Sequence, residues 1–76
     1  MLKKVLVDIV RAIVSKPDEV IALETVEGDL VIFKLSVAPE DTGKVIGRQG
    51  RVAKSIRTVM KAAAVLENKR VVVDIV

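Results

Sequence analysis

Gly47, Arg48, Gln49 and Gly50 form the segment of this 76-residue chain whose residue types and spacing best suit binding chemistry. Glycine has no Cβ, so the backbone at both ends of the segment can adopt positive φ angles and approach a ligand closely. The two side chains between the glycines can donate hydrogen bonds. A helix that follows such a turn directs its first N–H groups, and the positive end of its dipole, at the ligand. The Gly-x-x-Gly turn therefore predicts a site for a phosphate backbone.

Charge is distributed unevenly along the chain. Residues 1–43 hold five Lys or Arg and eight Asp or Glu, a net charge of −3, whereas residues 44–76 hold eight and two, a net charge of +6. This asymmetry predicts a basic face for a polyanionic partner, although a solvated, lysine-rich surface is the alternative. We expect Arg57 and Lys61 to be ordinary solvated positions. The cations that adjoin the turn, and are candidate phosphate contacts, are Lys44, Arg51 and Lys54.

Several kinds of chemistry are excluded by the residues present. The chain has no Cys and no His, which rules out disulfides, thiol or imidazole metal ligands and the usual nucleophile–histidine pairs. Val45 follows Gly43-Lys44 where a nucleotide-binding loop needs Ser or Thr, and the glycine spacing does not fit a dinucleotide fingerprint. The acidic pair Glu40-Asp41 is predicted to be first-turn helix charge. We therefore expect no enzyme activity, no metal site and no cofactor.

The composition indicates a single small globular domain. Hydrophobic residues make up 51% of the chain, which excludes disorder. No apolar run approaches the ~20 residues of a membrane span, and Asp8 and Arg11 interrupt the only segment that resembles a signal peptide. We expect a cytoplasmic protein without a membrane contact.

The first half of the chain is predicted to form a helix and a hairpin. Apolar residues recur at helical spacing from Leu2 to Ile13, and Pro17 ends the helix near Lys16. Two apolar runs, 20–26 and 30–37, are predicted strands, joined by a tight turn at Gly28-Asp29. Alternation places Phe33, the only aromatic residue, in the core.

The second half is predicted to form two helices and a strand. A short helix opens at Pro39 and ends near Ile46, a longer helix runs over 51–66, and the last strand covers 71–76. The predicted core stripe of the longer helix is Val52, Ile56, Val59, Met60, Ala63 and Leu66. Because two helices separate the second and third strands, those strands are expected to be parallel. The fold class is thus α+β, in the order α-β-β-α-α-β, with a three-stranded mixed sheet and three helices on one face.

The stretch from Val37 to Arg57, with Val45-Ile46-Gly47-Arg48-Gln49-Gly50-Arg51 at its centre, resembles a KH domain. It is similar to the small stand-alone bacterial KH proteins of the KhpA family, and the likeness extends over essentially the whole chain. The resemblance implies a single type II KH domain over residues 1–76. It also implies that the Gly-x-x-Gly turn contacts the sugar-phosphate backbone of single-stranded RNA. Apolar residues beside the turn would contact the bases, and these are Ile46, Val52 and Ile56.

The resemblance has further implications for function. KhpA-type proteins are RNA chaperones or post-transcriptional regulators that pair with a KhpB-type protein (also called Jag or EloR), form homodimers, and act in cell elongation, cell shape and cell wall organisation. Two pairs of apolar residues outside the predicted core stripes are candidate dimer surfaces: Ala62 with Val65, and Val7 with Val14. Because a stacking platform of aromatic residues is missing, a single copy is expected to bind RNA weakly. The alternative is a protein-interaction adaptor whose KH groove no longer binds RNA.

Overall fold

The computed structural model describes residues 1–76 and has the predicted order of elements. The helices and strands, in chain order, are α1 (Leu2–Ile13), β1 (Ile21–Glu27), β2 (Leu30–Ser36), α2 (Thr42–Ile46), α3 (Arg51–Leu66) and β3 (Arg70–Ile75). Short 3₁₀ turns precede β1 at Pro17–Glu19 and α2 at Pro39–Asp41, and the three residues Arg48–Gly50 join α2 to α3. None of the helices is long and apolar enough to cross a membrane.

The sheet has β2 at its centre. β1 pairs with β2 antiparallel through the two-residue turn Gly28-Asp29, where Gly28 has a φ of +62°. β3 pairs with β2 in parallel, which confirms the crossover through two helices. The ion pair between Arg70 and Asp29, with a nitrogen–oxygen distance of 3.0 Å, joins the start of β3 to the hairpin turn. The sheet is therefore mixed, as the sequence predicts.

The core lies between the helices and one face of the sheet. Alternate residues of β2, Val31, Phe33 and Leu35, are 1% exposed or less and pack in one cluster with residues of α1 and α3. The opposite face of the sheet is open, and Leu23 on that face is 62% exposed. Phe33 is fully buried, which confirms that the only aromatic ring belongs to the core.

The first helix ends earlier than predicted. Val14, the residue after α1, is already extended, with φ −85° and ψ 160°. The backbone N–H groups of Ser15 and Lys16 donate to the side chain of Asp41, each at 3.0 Å, instead of continuing the helix. The prediction from Pro17 alone was therefore wrong by about one turn, because a distant carboxylate binds the N–H groups there.

The buried stripe of α3 also differs from the prediction. The residues that α3 buries are Ala53, Ile56, Met60 and Ala64. Val59 is 47% exposed and Leu66 is 87% exposed, so these two predicted core residues lie at the surface. Small side chains at the contact let a helix approach its neighbours closely, so alanines occupy positions that a search for large apolar residues overlooks.

Candidate nucleic-acid interface

The Gly-x-x-Gly turn joins α2 to α3 through three residues with positive φ angles, Gly47, Gln49 and Gly50. The N–H of Gly47 caps α2 by donating to the carbonyl of Gly43 at 2.8 Å, and Gly47 has φ 76° and ψ 176°. Gln49 has φ 58° and ψ 26°, and Gly50 has φ 74° and ψ 14°. Angles like those of Gly47 are essentially restricted to glycine. The turn therefore requires the residue types that the sequence places there.

Gly47 also allows a close approach between the turn and α3. A Cβ added to Gly47 would overlap the side chain of Val52 and lie 2.9 Å from the Val52 backbone nitrogen. A Cβ on Gly50 would meet no atom within 4 Å. Both the backbone angles and the lack of space for a Cβ therefore favour glycine at position 47, whereas only the backbone angles favour glycine at position 50.

The beginning of α3 carries unusually unbalanced positive charge. Its first turn has no acidic residue, and its N-terminus has no side-chain cap. Arg51 and Lys54 lie there although cations are disfavoured at the positive end of the helix dipole. Arg48 in the turn, Arg51 and Lys54 are all exposed, and none forms an ion pair within 4.0 Å. An anionic ligand at this surface would supply the missing negative charge.

The other predicted polar contacts are exposed but partly committed to neighbours. Gln49 accepts a hydrogen bond from the Arg51 guanidinium at 3.4 Å. The Lys44 ammonium lies 3.6 Å from the carboxylate of Asp41, so part of its charge is already neutralised. No three His, Cys, Asp or Glu side chains come together in a way that would hold a metal ion.

The three predicted apolar residues lie at different depths. Ile46 at the end of α2 is 40% exposed, and Val52 is half-buried against Gly47. Ile56 is 3% exposed and belongs to the hydrophobic core. Only Ile46 and Val52 therefore offer surface to a base, and Ile56 supports that surface from within.

Arg57 and Lys61, which the sequence suggests are ordinary solvated positions, line a cleft between α3 and β3. The cleft has a volume of about 150 Å³, and its other walls are Val71, Val72 and Val73. The Arg57 Nε donates to the Val73 carbonyl at 3.1 Å, which holds the guanidinium against the strand. A second hollow of about 420 Å³ adjoins it and shares Lys61, Val71 and Val72.

Helical spacing connects the turn to this cleft. Lys54, Arg57 and Lys61 are three and four residues apart and so share one side of α3. This spacing, visible in the sequence, indicates that the three cations share one side of the helix. What the sequence could not indicate was that β3 lies beside these residues, since that placement depends on the tertiary fold.

A Gly-x-x-Gly turn between two helices, set on an α-β-β-α-α-β fold with a mixed sheet, defines a KH domain. The family model described as the KH domain of KhpA and KhpB matches residues 3–75. The chain therefore belongs to the KhpA/KhpB KH-domain family.

Curated relatives support this assignment over the full length. The RNA-binding protein KhpA of Clostridium acetobutylicum is 57% identical over 75 residues, covering 99% of this chain and 100% of that protein. The protein of the same name from Clostridium perfringens is 54% identical, with 96% and 99% covered. That of Bacillus subtilis is 42% identical, with 97% and 91% covered. The family is one of RNA-binding KH proteins rather than enzymes, as the sequence predicts.

Proposed function

We propose that the protein is a non-enzymatic, single-stranded RNA-binding protein whose Gly-x-x-Gly turn holds the sugar-phosphate backbone. The main support is a cluster of exposed cations that have no ion-pair partner and lie at an uncapped helix N-terminus. These cations are Arg48, Arg51 and Lys54. Such an arrangement opposes the helix dipole and gains from a bound polyanion. The names of the relatives, RNA-binding protein KhpA, support RNA as that polyanion.

The path of the RNA follows from the exposed basic side of α3. Backbone phosphates lie at the turn and along Lys54, Arg57 and Lys61, which lead to the cleft against β3. The bases lie on aliphatic surface, with Ile46 and Val52 near the turn and valines of β3 in the cleft. Phosphate contacts fix position without reading sequence, so a single domain is poorly selective.

The direct test is binding of a labelled, mixed-sequence single-stranded RNA followed by fluorescence anisotropy at low salt. The variant Arg48→Asp/Gln49→Asp reverses the charge of the turn, and we expect it to abolish binding while the fold is kept. Both side chains are exposed, and Asp tolerates the left-handed angles of residue 49. Circular dichroism checks the fold.

The matched control changes the same amount of charge elsewhere. Lys3→Asp/Thr25→Asp alters exposed residues of α1 and β1, outside the turn and α3, and should bind as wild type does. Equal loss in both double variants would mean that binding depends on total charge and not on the turn. No binding by the wild-type protein would favour the alternative, an adaptor that acts through a protein partner.

We also propose that tight RNA binding requires a second copy of the protein or a KhpB-type partner. The KhpA resemblance implies that this binding takes place in the cytoplasm and serves cell elongation. The support is physical: the chain has one aromatic residue, and that ring is buried, so each domain binds few bases strongly. Linking two weak sites raises affinity through effective concentration.

Self-association has a candidate surface near the end of α3. Val65 is 70% exposed and Leu66 is 87% exposed. If this surface joins two copies, Val65→Lys should shift the protein toward monomer in sedimentation velocity and weaken RNA binding, without a change in fold. Thr25→Lys, which adds the same charge at an exposed position of β1 outside the proposed RNA path, provides the control. If the wild-type protein is a dimer and the Val65→Lys variant has the same sedimentation coefficient, this surface is not the dimer interface.

A further inference from the structure

Asp41 is the one buried polar or charged residue in the protein, with 0% of its surface exposed. Its carboxylate accepts three hydrogen bonds from the chain that follows α1. One oxygen accepts from the Ser15 hydroxyl at 2.7 Å and from the Ser15 N–H at 3.0 Å, and the other accepts from the Lys16 N–H at 3.0 Å. We call this set of contacts the Asp41 clasp. It joins Asp41 to Ser15 and Lys16, which lie 26 and 25 residues earlier in the sequence.

The clasp lies at the base of the element that carries the turn. Asp41 directly precedes α2, whose five residues end where Gly47 begins the turn. An isolated helix of this length is not stable in water, so α2 depends on its contacts. Three buried residues spaced along the segment provide them: Ala38, Asp41 and Val45.

Only one of those three contacts is directional. Apolar packing of Ala38 and Val45 restrains α2 from moving away from the core but is non-directional. Hydrogen bonds have narrow preferences in distance and angle, and those to a charged acceptor are short and strong. Three of them at Asp41 define the orientation of the start of α2. A change in that orientation moves the turn at the other end of the helix.

We propose that Asp41 is a positioning residue for RNA binding: by clasping the chain after α1, its carboxylate sets the orientation of α2 and thereby holds the Gly-x-x-Gly turn in its binding geometry. The inference rests on the proposed function in so far as its effect is measured on RNA. Asp41 itself does not touch RNA, since it has no exposed surface.

The experiment compares Asp41→Asn and Ser15→Ala with Val10→Ala. Asn keeps the shape of Asp but loses the charge and one acceptor oxygen. Ser15→Ala removes only the hydrogen bond from the hydroxyl. This milder variant still tests the proposal if Asp41→Asn fails to fold. Val10 is fully buried in α1 and makes none of the hydrogen bonds of the clasp, so Val10→Ala destabilises the core while leaving those hydrogen bonds in place. RNA affinity is measured by anisotropy at a temperature where every variant is fully folded.

We expect Asp41→Asn to weaken RNA binding about fivefold or more, because a turn that is correctly placed only part of the time binds in proportion to that fraction. Ser15→Ala should have a smaller effect in the same direction, and Val10→Ala should stay within about twofold of wild type at a comparable loss of Tm. Wild-type affinity in Asp41→Asn, or an equal loss in Val10→Ala, would overturn the proposal.

A second readout separates this inference from the proposed function. Amide hydrogen exchange of residues 47–50 should accelerate in Asp41→Asn and Ser15→Ala but not in Val10→Ala. If the wild-type protein binds no RNA, the proposed function fails, while faster exchange would still support the clasp as the support of the turn. Unchanged exchange in the turn of both clasp variants would contradict the clasp whatever the RNA result.

Discussion

At the scale of single residues, the two glycines of the turn have different roles. Both have positive φ angles, but only Gly47 combines this with a position where a Cβ would overlap Val52. The sequence predicts the turn from the glycine spacing alone. It does not indicate which glycine is sterically fixed, because that depends on how α3 folds back against the end of α2.

We predict that Gly47→Ala destabilises the protein more than Gly50→Ala does. Gly50→Ala should cost about 1 kcal/mol, the strain of a non-glycine residue in a left-handed conformation. Gly47→Ala carries a backbone cost of about 1–3 kcal/mol together with the overlap with Val52. Urea denaturation of the two variants measures the difference, and equal free energies of unfolding would show that the overlap is relieved at no cost.

At the scale of elements, the sequence indicates where helices and strands lie better than how they meet. The order of all six elements and the bounds of α3 are confirmed, because periodicity and turn residues are local signals. The end of α1 and the buried side of α3 are not local. The first depends on Asp41, 25 residues away from Lys16 in sequence, and the second on alanines that fit a close contact.

The Asp41 clasp predicts a specific dependence of stability on pH. Hydrogen bonds from the Ser15 side chain and backbone, and then from the Lys16 backbone, lower the pKa of Asp41 from 3.8 to about 2. The folded state thus favours the charged carboxylate, and this contribution to stability is complete above about pH 5. It diminishes as the pH falls from about 5 toward 2, and it is fully lost only below the folded-state pKa, where the carboxylate is protonated in both states.

The measurement is Tm as a function of pH for wild type and Asp41→Asn. The ammonium groups of Lys16 and Lys44 lie nearby, and the pKa of Glu40 is itself lowered by its hydrogen bond from Lys16. Because both proteins contain Glu40, the difference between their curves isolates Asp41. We expect the Tm difference to be about 10 °C near neutral pH and to shrink below pH 4. A constant difference down to pH 2 would contradict the assigned pKa.

At the scale of the whole molecule, the charges of the two halves are separated in the fold as well as in the sequence. The acidic residues of the first half lie mostly after α1, in the hairpin and the short turns, and the basic residues of the second half lie mostly in the turn and α3. Acidic groups of the first half pair with Lys16, Lys44 and Arg70, through Glu40, Asp41 and Asp29 respectively, but with none of the cations of α3. The exposed basic side of α3 retains its charge for a ligand.

This separation predicts how RNA affinity should respond to salt. The cations along the proposed RNA path are Arg48, Arg51, Lys54, Arg57 and Lys61. If each neutralises one phosphate, the logarithm of the association constant should fall with the logarithm of salt concentration at a slope of about −3.5, since each contact to a single strand contributes about −0.7. Lys54→Gln should make the slope less steep by about 0.7, whereas Lys3→Gln should leave it unchanged. Anisotropy titrations over a tenfold range of salt measure these slopes. A slope near zero would mean that the RNA is held by its bases in the aliphatic cleft instead of by its backbone, and the positive field of α3 would then need another explanation.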